Sequence, residues 1–120
     1  MEYYHLCDSE YRFMQVVWEA APVGSGRLVE LCRDRLGWKK STTYTVLKKL
    51  CEKGLLQNEN STVTVLAPRE IVDNQAAENF VDRTFGGSLP GFLTAFMGGR
   101  KLTEQEAEEL KRLIDAHKEG

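Results

Sequence analysis

The sequence predicts a mainly α-helical fold that contains one small antiparallel β-hairpin. Three observations predict it: apolar residues recur at spacings of three and four through residues 8–54, the spacing changes to two over residues 62–67, and helical spacing returns after Pro68. The length of 120 residues is that of one domain, or of a small domain with an appendage. A hydrophobic fraction of 42% with 28% charged residues is typical of globular proteins and excludes a disordered chain.

Two helices are predicted in the first third of the chain. Asp8 or Ser9 is expected to cap the first helix, because a side-chain oxygen there accepts a hydrogen bond from a free N–H group. The apolar stripe of this helix consists of Phe13, Met14, Val17, Trp18 and Ala21. After the break at Pro22, Ser25 is expected to cap the second helix, and Gly37 to end it in the left-handed conformation.

A third helix and a hairpin follow. The helix is predicted to begin at Ser41 and to end at Gly54, with an apolar stripe of Val46, Leu47 and Leu50. Residues 55–59 and 62–67 are then expected to be extended, joined by turn-forming residues at 58–61. Three helices followed by a two-stranded hairpin, the wing, make up a winged helix-turn-helix.

The last part of the chain is predicted to be helical again. One helix is expected over Glu70–Phe85 and a short, very apolar helix over Ser88–Met97, with a glycine pair after each of them. The last helix is expected to start at Thr103, which has capping-box spacing with Glu106. The sequence therefore predicts several short helices in this region rather than one long helix.

Two regions with different roles are predicted: a winged-helix DNA-binding domain over residues 1–68 and a helical dimerisation region over residues 69–120. Short helices separated by glycine pairs cannot bury large apolar side chains alone, and each one left exposed costs about 1.5–3 kcal/mol relative to burial. A homodimer with an isologous interface is therefore expected, and packing on the N-terminal helices of the same chain is the alternative. The residues predicted to form the interface are Phe80, Phe85, Phe92, Phe96, Leu110 and Ile114.

The charge is distributed unevenly along the chain. The formal net charge is −2, but residues 26–53 hold eight basic and three acidic side chains, a net charge of +5. The local field rather than the net charge determines whether a surface attracts phosphate. The basic window is thus compatible with nucleic-acid binding, and an ordinary solvated helix face is the alternative explanation.

The third helix carries the residues that are predicted to bind double-stranded DNA. Those expected to contact base edges in the major groove are Thr42, Thr45 and Lys49. Those expected to contact phosphates, which position a protein without specifying sequence, are Arg27, Lys39, Lys40, Ser41 and Lys48. A helix face without function explains the threonines poorly, because Thr is a mediocre helix former.

The wing is predicted to make a neutral contact at most. Residues 58–64 contain no Lys or Arg and include the acidic Glu59, whereas a wing that enters a minor groove is normally basic. The residues expected to contact DNA are Asn60, Ser61 and Thr62. The neutral wing also favours an alternative function, a winged-helix protein-interaction module without sequence-specific DNA binding.

Catalysis, cofactor binding and metal binding find little support in the sequence. His5, Cys7 and Asp8 lie close together, but nothing in the sequence fixes their geometry. The cysteines Cys7, Cys32 and Cys51 have no C-x-x-C spacing and are predicted to be reduced thiols, the last two as small core groups. We therefore expect no enzymatic activity, no metal and no cofactor.

The sequence predicts a cytoplasmic protein without membrane insertion. No apolar run approaches the roughly 18 residues that a membrane span needs. No basic segment followed by an apolar one, which would indicate a secretory signal, is found at the N-terminus.

Two segments contain distinctive motifs. Residues 6–18 include Glu10 and close on Val-Val-Trp, and residues 37–56 include Gly37-Trp38, the run Thr-Thr-Tyr-Thr and the ending Glu-Lys-Gly-Leu-Leu. With these motifs at fixed offsets, the chain resembles the penicillinase repressor and methicillin-resistance repressor family over essentially its whole length.

The resemblance implies a dimeric winged-helix repressor that binds a palindromic operator and controls β-lactam resistance genes. It also implies a membrane sensor protease as a partner, through which repression is relieved by cleavage in the dimerisation region. The bond that matches the family's cleavage point is Ala95–Phe96, with Ala95 in place of the family's Asn. Residues 60–62 depart from the family's Gly-Arg wing pair, and the absence of cysteine after Cys51 gives no support for the copper sensing of one family branch.

Overall fold

A computed structural model of the protein describes residues 4–119, which form six helices and one small antiparallel sheet. The helices are α1 (Asp8–Ala20), α2 (Ser25–Leu36), α3 (Lys40–Glu52), α4 (Arg69–Phe85), α5 (Leu89–Met97) and α6 (Glu104–His117). The strands are β1 (Val23–Gly24), β2 (Leu56–Glu59) and β3 (Thr62–Val65). This architecture confirms the predicted mainly helical class with a small β-hairpin and matches a winged helix.

The sheet has the strand order β1-β3-β2, so β3 is its central strand. Asn60 and Ser61 form a two-residue turn between β2 and β3, and both have left-handed backbone angles, with φ of 50° and 60°. A tight type I′ hairpin turn requires such angles at both positions. The strand β1 was not predicted, because two residues show no alternating pattern; Val23 is extended where it pairs with Val63.

Helix α1 differs from the prediction at its start. Asp8 and Ser9 lie inside the helix, and its N-cap is Cys7, whose backbone N–H donates a 3.0 Å hydrogen bond to the carboxylate of Glu10. A side-chain oxygen at the cap position was expected to accept a hydrogen bond from the helix. Instead, the carboxylate three residues later accepts one from the backbone N–H of the cap residue. The predicted end of α2 is confirmed, since Gly37 has a φ of 71°.

Helices α2 and α3 also begin earlier than expected. Ser25, predicted as a cap, lies in the first turn of α2, whose N-cap is Gly24. Helix α3 begins at Lys40, one residue before the predicted Ser41, and its N-cap is Lys39. The N–H of Ser25 donates to the carbonyl of Ser61 in the wing turn at 2.8 Å. A tertiary contact thus satisfies a helix-end N–H group for which sequence rules seek a local side chain.

Residues 1–79 form the first of two compact units. Its core lies among α1, α2, α3 and the sheet, and its largest fully buried side chains include Phe13, Met14, Leu28, Leu50, Leu55 and Leu56. The first turns of α4 belong to this unit: Val72 is buried, and the Tyr11 hydroxyl donates a 2.6 Å hydrogen bond to Asp73. The unit therefore extends past residue 68, because these turns of α4 pack on the N-terminal helices.

Residues 80–120 form the second compact unit. Ser88 caps α5 by accepting a 2.9 Å hydrogen bond from the N–H of Gly91, and the predicted capping box of Thr103 and Glu106 is present at α6. The side chains at the centre of the unit are four aromatic rings with centroids 5.6 to 6.0 Å apart, Phe80, Phe85, Phe92 and Phe96. Aromatic contacts rather than a fully buried core thus hold the unit together.

Candidate nucleic-acid interface

Helix α3 presents the three predicted base-contacting residues to solvent. Thr42, Thr45 and Lys49 are all exposed. The buried side of the helix consists of Thr43, Leu47 and Leu50. Val46 was predicted to be buried and is half-buried, while Thr43 occupies a fully buried position with its hydroxyl directed to the carbonyl of Lys39 at 3.4 Å. Within the described part of its own compact unit, nothing therefore covers the surface needed for contact with a duplex.

The predicted phosphate-contacting residues are exposed as well; these are Arg27, Lys39, Lys40, Ser41 and Lys48. Within residues 4–119, the four lysines of the α3 surface (Lys39, Lys40, Lys48 and Lys49) form no ion pair. Four ammonium groups without a carboxylate partner on one short helix create a local positive potential. That potential favours an anionic partner.

Other cations of the basic window are engaged within the protein. Arg27 pairs with Glu30 at 2.9 Å, Arg33 contacts Asp34, and Arg35 pairs with Glu19 of α1. Lys53 at the end of α3 pairs with Glu10, as described below. The net charge of the window is thus concentrated on the α3 lysines, and Arg27 is the predicted phosphate contact that has a carboxylate neighbour.

The hydroxyl of Thr45 has a defined orientation. It donates a 2.9 Å hydrogen bond to the carbonyl of Ser41, one turn earlier in α3. Its proton is therefore engaged, whereas the oxygen lone pairs remain available to accept from a base amino group and the methyl group remains available to contact thymine. Thr45 suits the role of acceptor or apolar contact better than that of donor.

Tyr44 joins this surface, although sequence analysis did not single it out. Its ring is 37% exposed, and its hydroxyl lies 3.4 Å from the hydroxyl of Ser25, a long hydrogen bond. Ser25 is 7% exposed and is itself held to the wing turn through Ser61. The spacing of Tyr44 from Ser41 and Lys48, three and four residues, could have indicated it.

The wing residues Asn60, Ser61 and Thr62 are exposed, as a contact with DNA requires. Glu59, the acidic residue just before this turn, has its carboxylate 2.5 Å from the side-chain amide of Gln57. The Ser25–Ser61 hydrogen bond keeps the wing turn beside the start of α2. The wing is thus adjacent to α2 and α3 but contributes no positive charge.

A buried carboxylate anchors the end of α3. Glu10 is 6% exposed, and Lys53 donates hydrogen bonds of 3.1 and 3.0 Å to its two oxygens and another of 2.8 Å to the carbonyl of His5. Burial alone would raise the pKa of Glu10, but hydrogen bonds from the Cys7 N–H and from Lys53 outweigh it, so the net pKa is lowered. The ion pair connects α1 to the last turn of α3.

Of the residues considered for catalysis, Asp8 lies in the first turn of α1, and the backbone carbonyl of His5 accepts the hydrogen bond from Lys53. Cys7 is the N-cap of α1, and its sulfur lies 3.3 Å from the Ser9 hydroxyl. Cys32 is buried and Cys51 half-buried, and burial raises the pKa of both thiols, so they stay protonated at neutral pH. The three cysteines are free thiols, as predicted. In the part of the chain that the structure describes, no cluster of His, Cys, Asp and Glu fits a metal ion.

The predicted dimerisation residues differ in exposure. Phe85, Phe92 and Leu110 are half-buried within the chain, whereas Phe80, Phe96 and Ile114 are 51%, 48% and 54% exposed. Leu89 and Leu113, which the prediction did not include in this set, are each 57% exposed. A single copy of the chain leaves a substantial apolar surface in residues 80–120.

The residues matched to the family's cleavage point lie in helix α5. Ala95 and Phe96 are both exposed, and the guanidinium of Arg100 lies 4.3 Å from the centre of the Phe96 ring. Because both residues lie inside α5, the peptide bond between Ala95 and Phe96 has a helical rather than an extended conformation.

The chain matches known proteins over almost its whole length. The family model described as penicillinase repressor matches residues 6–116. The penicillinase repressor of Bacillus licheniformis is 22% identical over 117 residues, which cover 94% of this chain and 91% of the relative. The methicillin resistance regulatory protein MecI of Mammaliicoccus sciuri is 18% identical over 116 residues, which cover 93% of this chain and 94% of the relative. An uncharacterised 16.5 kDa protein of Latilactobacillus sakei is 27% identical over 114 residues, which cover 90% of this chain and 77% of the relative.

None of the helices within residues 4–119 is long and apolar enough to cross a membrane.

Proposed function

The chain belongs to the penicillinase repressor family, a family of transcriptional repressors rather than enzymes, and we propose that it represses transcription as a homodimer bound to a palindromic DNA operator. The observation that carries this proposal is the exposed face of α3, where hydroxyl groups lie among four lysines that form no ion pair within the described chain. Such a face offers both base contacts and phosphate contacts in a major groove.

The residues of this face have separate roles in the proposed complex. The base contacts are made by Thr42, Thr45 and Lys49. The phosphate contacts are made by Arg27, Lys39, Lys40, Ser41 and Lys48, and Asn60, Ser61 and Thr62 of the wing add neutral contacts. Because Arg27 already pairs with Glu30, we expect it to contribute less to binding than the lysines.

The second part of the proposal is a dimer formed through residues 80–120. The exposed side chains of this unit, among them Phe80, Phe96 and Ile114, are of the kind that an isologous interface buries. Two linked copies place two α3 helices in major grooves about one helical turn apart or somewhat more. Binding over a promoter in the cytoplasm then excludes RNA polymerase.

The resemblance to its family suggests what the protein controls and how it is released. We propose that it silences genes of the β-lactam resistance type and that a membrane sensor protease leads to its cleavage at Ala95–Phe96. Proteases bind extended segments, so cleavage at this helical bond requires α5 to open locally first. The glycine pair that follows Met97 limits α5 to nine residues, which favours such opening.

The DNA-binding proposal is tested with the double substitution Thr45→Ala and Lys49→Ala. The full chain is used to select duplexes from a random-sequence library, and affinities for the selected duplex and for a scrambled one are then measured. We expect the ratio of the two affinities to fall about 10- to 100-fold in the variant. The control Lys111→Ala in α6 should leave the ratio unchanged. An unchanged ratio in an intact double variant would contradict the assignment.

A protein-interaction module is the second candidate, and the neutral wing is the observation that favours it. The two functions differ in their dependence on salt. A repressor that contacts phosphates loses affinity steeply as salt rises, because counterions are released on binding. A module that does not bind DNA forms no retarded complex even at low salt.

A further inference from the structure

The exposed surface of α3 has two parallel rows of side chains, and the predicted base contacts all lie in one of them. In an α-helix, residues separated by three and by seven positions lie along the same side. Thr42, Thr45 and Lys49 form the first row. The second row, which we call the tyrosine row, consists of Ser41, Tyr44 and Lys48, and all of its members are exposed.

The tyrosine row lies on the side of α3 that faces the other predicted DNA-contacting elements. The Tyr44 hydroxyl contacts Ser25 in the first turn of α2, and the Ser25 N–H donates to Ser61 in the wing turn. The start of α2, the wing turn and the tyrosine row are thus connected by two successive hydrogen bonds. A duplex that contacts α2 and the wing together with α3 must therefore approach from this side.

Tyr44 also has the chemistry of a base-contacting residue. Tyr44 is 37% exposed, so part of an amphipathic aromatic side chain is accessible for contact with a ligand. Its hydroxyl lies 3.4 Å from that of Ser25, a long hydrogen bond that favours one direction of the ring before DNA binds and so reduces the side-chain entropy lost on binding. The apolar ring edge is complementary to the 5-methyl group of thymine, which projects into the major groove.

Resting on the proposed function, we propose that Tyr44 is a specificity-determining residue whose ring packs on a thymine methyl group in each half-site, with Ser25 as the residue that orients it. This adds a direct base contact in the tyrosine row, beside Ser41 and Lys48 on the phosphates. It also gives the uncharged wing a role in binding. The carbonyl of Ser61 accepts a hydrogen bond from the Ser25 N–H, and the Ser25 hydroxyl in turn orients Tyr44.

The test combines protein variants with removal of single methyl groups from DNA. The duplex selected by the full chain is synthesised with deoxyuridine in place of each thymine in turn, and the affinity of each duplex is measured. We expect one thymine position per half-site at which the unmodified protein loses about fourfold for each methyl removed. Tyr44→Ala should bind more weakly overall and show no further loss at that position.

Three variants distinguish orientation from contact. Tyr44→Phe keeps the ring and should retain the methyl dependence at reduced affinity, and Ser25→Ala should weaken the methyl dependence without abolishing binding. Lys111→Ala in α6, outside the proposed DNA-contacting surface, should retain the full methyl dependence. Thermal unfolding of each variant checks that the fold is intact. Tyr44 and Lys111 are exposed, so their substitution should leave the fold unchanged, whereas Ser25 is buried and its variant depends most on this check.

The outcomes separate this inference from the proposed function. If the unmodified protein selects a motif but Tyr44→Ala loses affinity at the same thymines by the same factors, the inference is overturned while the repressor proposal stands. The same holds if the selected motif shows no thymine whose methyl matters. If the unmodified protein selects no motif at all, the repressor proposal fails and this inference fails with it.

Discussion

The two compact units of this protein differ in how far their apolar side chains are buried. In residues 1–79, Phe13 is fully buried and stacks on Trp38 with ring centroids 5.7 Å apart. In residues 80–120, no residue of α5 or α6 is fully buried, and Phe96 and Leu113 are about half exposed. The first unit has a buried core of its own, whereas the second leaves much of its apolar surface exposed.

This difference in the burial of apolar side chains suits the two units to different tasks. A compact N-terminal unit can hold a rigid DNA-contacting face, because the buried side of α3 fixes the exposed side. A C-terminal unit with unburied apolar surface is suited to association, which is the role we propose for it. A substitution in either unit is therefore expected to show its effect in a different property: association and DNA affinity for the second unit, folding stability for the first.

The largest effect is expected from Phe92→Asp, at the centre of the aromatic cluster. A carboxylate there opposes burial, so we expect the protein to become monomeric. Because two linked half-sites bind far more tightly than one, affinity for the selected duplex should fall by roughly 10²–10⁴-fold. Mass in solution is measured by light scattering.

The matched control for this change is Phe92→Leu, which keeps an apolar side chain and should remain dimeric. Circular dichroism shows whether both variants retain their helices. An unchanged mass for Phe92→Asp would remove the case for a C-terminal dimer.

In the N-terminal unit, Phe13→Ala should cost about 3–5 kcal/mol of unfolding free energy, since it leaves a cavity beside Trp38. Chemical denaturation followed by circular dichroism, which reports on the helices of both units, measures this cost. Phe80→Ala, made in the monomeric Phe92→Asp variant, should lower the unfolding free energy clearly less than Phe13→Ala does. Equal costs at the two positions would contradict the contrast between a buried core and a half-exposed cluster.

Glu10→Gln perturbs the ion pair that anchors the end of α3. The pKa of Glu10 is lowered in the folded protein, so its contribution to stability is complete above the unfolded value near 4.5 and is lost as the pH falls through the folded value. We expect the variant to lose about 1–3 kcal/mol at neutral pH. Its unfolding free energy should also fall less steeply than that of the unmodified protein below about pH 4.5.

Urea unfolding at a series of pH values checks this prediction, with exposed Glu119→Gln at the C-terminus as the control. Equal acid dependence of Glu10→Gln and the unmodified protein would show that the ion pair with Lys53 contributes little.

The smallest effect is expected at the wing turn. Ser61 has a φ of 60°, a left-handed conformation that a residue with a Cβ atom adopts at a cost. Ser61→Gly creates the Asn-Gly pair that a type I′ turn favours, and it should stabilise the unit by about 0.5–1 kcal/mol. Thermal unfolding measures the change, and a loss of stability would show that the Ser61 side chain has a role of its own.

Much of the fold follows from the periodicity of the sequence. Apolar residues three and four apart determined which face of α3 is buried, and alternating residues determined the wing, because side-chain direction repeats every 3.6 residues in a helix and every two in a strand. The exposure of Thr42, Thr45 and Lys49 was predicted for this reason. Strand β1 was missed, because two residues are too short to show a period.

The tertiary structure alone decided which charged and polar groups that are distant in the chain meet. Lys53 meets Glu10, and Arg35 meets Glu19, across separations in the chain that no local pattern encodes. These pairings leave the lysines of α3 as the unpaired cations of the basic window among the described residues. The hydrogen bond from Tyr44 to Ser25 likewise depends on how α2 packs on α3. Local sequence sets side-chain direction, and packing sets which side chains become neighbours.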